Sequence, residues 1–349
     1  MTFYKQNIMV PAAFLLIALA FFGLEAVTDG ASLLYTMLFF VAITQGPIAV
    51  IAATELAMSN WAKPYKRAML SVRHMIPMIS ILFAVFAFTG KIDDLYLWTG
   101  YGHHKWLDKN FFIARNILMP LIAWVLANKY AKESLSDSGG KVKWALFWVF
   151  AYVIGQTIVA VDWVMSLEFP WISTLFGAYF FVEAFYIGLA FAAMFTAFRF
   201  HDFHETFGEK VFKKTQMDMM TMFFGFSIFW AYQFFSQFLV IWYGNIPEEV
   251  AYITKRQEVF GNPMLFSVII ILFLIPFWVL MSRKFKANPQ VIRAIGLLVC
   301  LGIFLERFIM IGTYPHFSVN LGVALVEIAV MAALFVFVVR SDTKTLTAG

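Results

Sequence analysis

Apolar residues run along this chain in ten long blocks, separated by short polar breaks. A membrane-spanning helix needs roughly 20 predominantly apolar residues. Ten segments meet that length: 8–27, 31–57, 67–90, 111–129, 143–167, 171–198, 217–243, 263–282, 290–312 and 318–340. The pattern predicts an all-α, polytopic membrane protein with ten transmembrane helices, in a single integral membrane domain over 1–349. The first block, in "MTFYKQNIMVPAAFLLIALAFFGLEAV", superficially resembles a signal peptide. Its basic region is Lys5 alone, no A-x-A site follows, and Glu25 and Asp29 crowd the place where cleavage would fall. It is read as a retained first span.

The spacing of special residues predicts an internal repeat, with spans 2–5 and 6–9 as two four-helix bundles and spans 1 and 10 flanking them. The third member of each four carries a mid-helix proline, Pro120 in "ARNILMPLIAW" and Pro276 in "IIILFLIPFWVL". The fourth member of each places an acid shortly before another proline: Asp162 before Pro170, and Glu306 before Pro315. Parallel repeats of this kind occur in membrane proteins. Two breaks are long, polar and aromatic-rich: 91–110, "KIDDLYLWTGYGHHKWLDKN", and 244–262, "GNIPEEVAYITKRQEVFGN". They are expected to dock partners through Trp98, Tyr101, His103, His104, Pro247, Glu248 and Glu249.

Composition reinforces this reading. The 349 residues are 62% hydrophobic and 13% charged, with 42 phenylalanines and a mean hydropathy of +0.78. A soluble domain is nearer half apolar and a quarter charged. The net charge of +5 is explained by loop asymmetry rather than by nucleic acid. On one side lie Lys5; Lys63, Lys66 and Arg67; Lys129, Lys132, Lys141 and Lys143; Arg199, Lys210, Lys213 and Lys214; Arg283, Lys284 and Lys286; and Arg340 and Lys344. On the other lie Lys91, Lys105, Lys109, Lys255 and Arg256. The positive-inside rule then places both termini in the cytoplasm. The single cysteine, Cys300, can form no disulfide within the chain, and an iron–sulfur cluster needs about four. A bis-histidine dihaem cytochrome needs four intramembrane histidines, whereas only His74 falls in a span. His103 and His104 have no second cluster at metal-ligand spacing, so no metal site is expected. Walker, serine-elbow and zinc-protease motifs are absent from the sequence.

Ionisable residues in hydrocarbon default to functional candidates because each is costly to bury. At ~1.5 Å per residue, Glu25, Asp162, Glu168, Glu306 and Arg307 fall near the outer face. Glu183 and Glu327 fall near mid-membrane, and Glu55, Arg73, His74 and Asp218 toward the cytoplasmic face. Carboxylates at graded depths can relay protons. The candidate path is Asp162, Glu183, Glu327, Glu306, Arg307, Glu55, His74 and Asp218, with an outer cluster of Asp162, Glu306 and Arg307. The structural alternative is pairing between spans, such as Arg73 with Glu55 or Arg307 with a neighbouring carboxylate. Glu183 and Glu327 have no obvious partner, and Glu306 and Arg307, being adjacent, point about 100° apart. Gln45, Gln156, Gln233 and Gln237 serve either as packing glue or as the lining of a wet path. Glu168 is expected at the interface, in a turn anchored by Trp163 and Trp171. Two function classes remain open: the membrane part of a redox complex oxidising quinol, and a proton-coupled secondary transporter or channel subunit.

The stretches "VDWVMSLEFPWISTLFGAYFF" (161–181) and "FFSQFLVIWYGNIPEEV" (234–250) resemble the second quinone-binding-type membrane subunits (ActF) of alternative complex III. These belong to the wider NrfD or polysulfide reductase C-like group. The ten-span layout matches as well, so the resemblance covers nearly the whole chain. It implies a subunit of the bacterial inner membrane that carries no redox cofactor. Haems and iron–sulfur clusters would reside in periplasmic partners. Those partners would be an iron–sulfur or molybdopterin-like subunit and multihaem and monohaem cytochromes c, alongside a sister NrfD-like membrane subunit. The complex would oxidise quinol, typically menaquinol, and pass electrons to a cytochrome c or a terminal oxidase. This type of subunit is discussed as a proton route, while the sister is the better candidate for the main quinol site. Glu168 stands where the pattern more often has Asp, and the "PEE" turn is Pro247, Glu248 and Glu249. "FLERFIMIGTYPHF" resembles the sister's Glu-Arg-Phe pattern, which keeps quinol binding at Asp162, Glu306 and Arg307 among the expectations.

Overall fold

The computed structural model describes residues 3–4, 7–28, 30–101, 105–312, 314 and 316–343. Pro315, part of the expected repeat, lies outside them. Among the described residues the chain is helical with no strand. The principal helices are α1 (Met9–Glu25), α2 (Ala31–Leu56), α3 (Lys63–Phe88), α4 (Lys109–Leu135), α5 (Lys141–Glu168), α6 (Phe176–Phe198), α7 (Glu209–Gly244), α8 (Pro247–Leu280), α9 (Pro289–Ile311) and α10 (Leu321–Asp342). Nine of these, α2 to α10, are long and apolar enough to cross a membrane, whereas α1 has 17 residues and is shorter. Within hydrocarbon a helix satisfies its own backbone, so long apolar blocks become helices. The protein is an all-α polytopic membrane protein.

Two boundaries differ from expectation. At 36 residues, α7 is about 54 Å long, well beyond a ~30 Å hydrocarbon core. Its first turns, with Lys210, Lys213 and Lys214, project past the apolar stretch. The expected polar loop at 244–262 is instead a short turn followed by helix. Asn245 ends α7 in the left-handed region (φ 47, ψ 36). Ile246 is extended, as a residue before proline prefers. Pro247 then occupies the first helical turn, where a missing N–H is harmless, and Glu248 and Glu249 complement the helix dipole there. Gly261 (φ 72) kinks α8 two residues before Pro263. The 91–110 connection forms two short helical turns, Lys91–Leu95 and Leu97–Gly100.

The interior is organised around α2 and α6, whose apolar windows are 89% and 83% buried, against 22% for α7 and α8. α2 packs on α3, α5 and α6, and α4 packs on α3 and α5. α6 packs on α5, α7 and α9, α8 lies against α7 and α9, and α1 and α10 flank α2 and α3. α2 and α6 cross with backbones in contact. A Cβ on Gly46 would sit 1.7 Å from the Ala184 carbonyl oxygen, and one on Gly188 would sit 2.4 Å from the Gly46 carbonyl carbon. Ala184 and Gly188 form the small-xxx-small pattern that lets membrane helices approach this closely.

Proline effects are absorbed locally. Pro276 has no N–H to give to the Leu272 carbonyl four residues back. The chain there winds into a π segment, Ile270–Leu274, and the Tyr186 hydroxyl on α6 donates to that carbonyl at 3.0 Å. A second π segment, Ala160–Val164 in α5, contains Asp162. Such segments recur at functional sites.

Candidate functional site

Buried ionisable groups gather at the two ends of the helical core. At one end Asp162 is fully buried. Arg115 on α4 grips it with Nε to Oδ2 at 2.6 Å and Nη2 to Oδ1 at 2.8 Å. The Asn116 amide donates to Oδ2 at 2.6 Å and the Trp106 indole to Oδ1 at 3.2 Å. Trp163 Nε1 donates to Asn116 Oδ1 at 2.7 Å, which fixes the Asn116 orientation. The Arg115 guanidinium also lies 4.3 Å from the Trp106 ring centroid. Four donors on one carboxylate make a lock between α4, α5 and the 91–110 connection. The Tyr96 hydroxyl, whose pKa is pushed well up by burial, completes it by donating to the Trp163 carbonyl at 3.1 Å.

Glu306 and Arg307 turn to a different neighbour, so the expected cluster with Asp162 does not form in that way. Tyr179 and Glu183 are four residues apart on one face of α6. The Tyr179 hydroxyl donates to Glu306. Arg307 Nη2 sits 2.7 Å from Glu183 Oε2, with both side chains fully buried, and the guanidinium covers the Phe180 ring at 3.8 Å. The Arg307–Glu183 approach is a charge contact without hydrogen-bond angles, and Glu306 Oε2 meets no donor. Glu183, which has no obvious partner in the sequence, is therefore partnered by Arg307, the pairing between spans that was the structural alternative. Adjacent residues can both reach α6 because the ~100° between them straddles the α6–α9 contact.

The depths of Glu183 and Glu327 also change. Glu183 lies seven residues into α6 and Glu327 six into α10, about 10 Å and 9 Å from the helix starts. Both fall about a third of the way along their helices from the Asp162 end, because α6 and α10 begin later than the apolar pattern indicates. Glu327 accepts from the Thr36 hydroxyl at 3.0 Å and adjoins Glu25. Glu168, expected at the interface, is buried. It pairs with Lys255 and lies 3.9 Å from Arg256, on the helical segment that replaced the expected loop. Arg256 in turn donates to the Tyr252 and Met310 carbonyls at 2.6 and 2.9 Å. Trp163 and Trp171, expected as interface anchors, are buried as well; Trp171 stacks on Tyr252 at 4.0 Å.

At the opposite end, Glu55 accepts from Tyr130 at 2.6 Å and Ser134 at 2.8 Å, and pairs with Lys66 at 2.6 Å. Arg73 is not its partner: Arg73 meets Asp342 at 3.3 Å, and His74 lies 3.7 Å from the same carboxylate. The His74 ring stacks on Phe3 at 3.8 Å. Asp218, expected among the buried relay members, is exposed on α7. Between the two ends, Gln156 donates to Gln45 at 3.2 Å. A cavity of about 10 Å³ adjoins Gln45, Asn116, Pro120, Gly155 and Trp163, room for about one water.

Of the expected docking residues, Trp98 is buried at 2% exposure and holds the 91–110 connection down instead. Tyr101, Pro247 and Glu248 are exposed and Glu249 is half-buried. His103 and His104 lie outside the described residues. Among the described residues no group of three or more His, Cys, Asp or Glu could hold a metal ion. Sequence reasoning missed Asn116, Tyr179, Thr36, Tyr130 and Asp342 as partners. Only Arg115, as an intramembrane cation, carried a signal that it needed a counter-ion. No family model matches the chain, and no curated protein matches it either.

Proposed function

We propose that this chain is an integral membrane subunit of a quinol:electron-acceptor oxidoreductase of the alternative complex III type, with ten spans in two four-helix bundles and two flanking helices. It anchors redox partners on the outer side and carries protons coupled to quinol oxidation. The observation that carries this reading is the Tyr179–Glu306 and Glu183–Arg307 assembly between α6 and α9. An acid kept in hydrocarbon with an oxygen lacking a donor is poised to accept and pass a proton. Oxidation of quinol releases two protons and two electrons; the electrons leave to partner cofactors, and the carboxyls of this chain take the protons. Gln45, Gln156 and the one-water cavity continue a polar line toward Glu55 and His74. Along α2, the nine residues between Gln45 and Glu55 are apolar but for Thr54, a span of about 15 Å, so passage between the ends requires transient water there.

The test is purification of the native assembly followed by parallel measurement of quinol oxidation and proton release. Glu306→Gln is the informative substitution, because Glu183→Gln also strips Arg307 of its counter-ion. We expect co-purified haem-bearing partners and a loss of at least about tenfold in turnover for Glu306→Gln, within the range of general acid–base effects. Unchanged turnover and stoichiometry removes Glu306 from the path. A proton-coupled transporter is the second reading, favoured by the interruptions of α5 and α8 at their π segments and at Gly261, since broken helices mark transport sites. A chain that purifies without haem subunits and moves a solute in liposomes decides for that reading.

A further inference from the structure

The Glu25–Glu327 pair lies where α1, α2 and α10 meet, and shares none of the side-chain partners of the α6–α9 assembly. Both side chains are completely buried. Neither Glu25 oxygen meets a donor in hydrogen-bonding geometry, and neither does Glu327 Oε1. Glu327 Oε2 receives the Thr36 hydroxyl at 3.0 Å. The groups that bear on Glu25 are the Thr28 hydroxyl, the Leu33 amide, the Glu327 carboxyl and the Lys91 ammonium. Lys91, on the short helix Lys91–Leu95, keeps 21% of its side chain exposed and lies 3.8 Å from Asp94, which faces solvent. Its stem passes directly over Gly30. A Cβ there would lie 2.6 Å from Lys91 Cβ, and Gly30 has φ +81. Only glycine adopts that conformation at no steric cost, and only glycine leaves room for the lysine.

Two bare carboxylates side by side in an apolar surround would combine like-charge repulsion with two desolvation costs. One proton between them replaces the repulsion with a hydrogen bond, and the cation that bears on the remaining negative charge is Lys91, at longer range than an ion pair. The geometry points to a proton-binding site in which Glu25 and Glu327 share a single exchangeable proton, with Lys91 as the counter-charge and the water-facing approach. It stands whether or not the chain serves a quinol-oxidising complex. The rival ligand for the same oxygens is a sodium ion, held by the two carboxyls with Thr28 and Thr36.

Infrared difference spectroscopy of the protein in lipid nanodiscs tests this, comparing the native chain with the Glu25→Gln/Glu327→Gln double variant. We expect a protonated-carboxyl C=O band, sensitive to hydrogen–deuterium exchange and titrating with pH, that the double variant loses. Each single replacement should shift the band, because the proton then loses its second carboxyl. Thr36→Val removes only the hydroxyl that donates to Glu327, so it probes the same band should the double variant fail to fold; there the band should move without loss of the fold. Absence of the band in the native protein, its survival in the double variant, or no shift with Thr36→Val each overturns the proposal. So does a melting temperature that rises with sodium chloride but not choline chloride in the native chain alone, which assigns the site to a cation. None of these readouts involves quinol or partner subunits, so their failure is distinct from failure of the proposed function.

Discussion

Asp162 and Glu306 are both buried acids near the same end of the helical core, yet their surroundings differ in kind. Asp162 is held by Arg115, Asn116 and Trp106, whereas Glu306 has the Tyr179 hydroxyl and one bare oxygen. The first carboxylate has a donor on each oxygen, and the second keeps one oxygen without a donor, as the proposed proton route requires. Removing one partner of a buried ion pair typically costs about 3–5 kcal/mol, so Arg115→Met should lower the thermal unfolding temperature sharply. Lys66→Met should cost less, because Glu55 keeps the Tyr130 and Ser134 hydroxyls when the lysine is gone, whereas Asp162 loses two of its four donors with Arg115. Equal losses in melting experiments on the two variants would contradict this contrast. That Asp162 and Glu306 were special was legible in the sequence as acids in apolar runs. Their partners were not: Arg115 is 47 residues from Asp162, and Tyr179 is 127 from Glu306.

At the scale of elements, apolar run length placed most helices to within a few residues. It failed where a helix leaves hydrocarbon. The segment from Pro247 to Phe260 carries polar residues at exposed positions, among them Glu248, Thr254, Lys255 and Glu258, and the absence of a long apolar run there made it resemble a loop. The crossing of α2 and α6 is the element-level feature most sensitive to mutation. Gly46→Ala puts a methyl where the Ala184 carbonyl already is, and a backbone cannot yield as a flexible side chain does. It should abolish monodisperse folded protein on size exclusion. Gly225→Ala on α7 meets nothing within 4 Å, and should be neutral or stabilising by about 0.5–1 kcal/mol. Similar elution profiles for the two variants would show that the α2–α6 contact is looser than the backbone geometry implies.

At the scale of the whole molecule, the two ends carry different chemistry. One holds Asp162, Glu168, Glu183, Glu306 and the Glu25–Glu327 pair, and the other holds Glu55, His74 and Asp342. The proposed orientation sets the first end outside. It predicts that a cysteine replacing exposed Asp137, in the α4–α5 turn, reacts with a membrane-impermeant thiol reagent only from the cytoplasmic side. A cysteine replacing exposed Thr254 on α8 should react only from the outside. Native Cys300, set in the apolar run of α9, should stay silent. Labelling from the same side at both positions would overturn the topology, and a swapped result would overturn the orientation alone.

The sequence by itself determined the class of the protein and the rough placement of its helices, because transfer of a side chain between water and hydrocarbon is a local property that each segment settles alone. It also marked the acids that hydrocarbon makes costly. Only the tertiary structure decided what those acids do. Packing matched Asp162 with Arg115 and Glu183 with Arg307, brought Glu25 to Glu327, and drew Glu168 and Trp98 inward. An ion pair depends on distance in space between residues remote in sequence, and that distance is set by how helices cross.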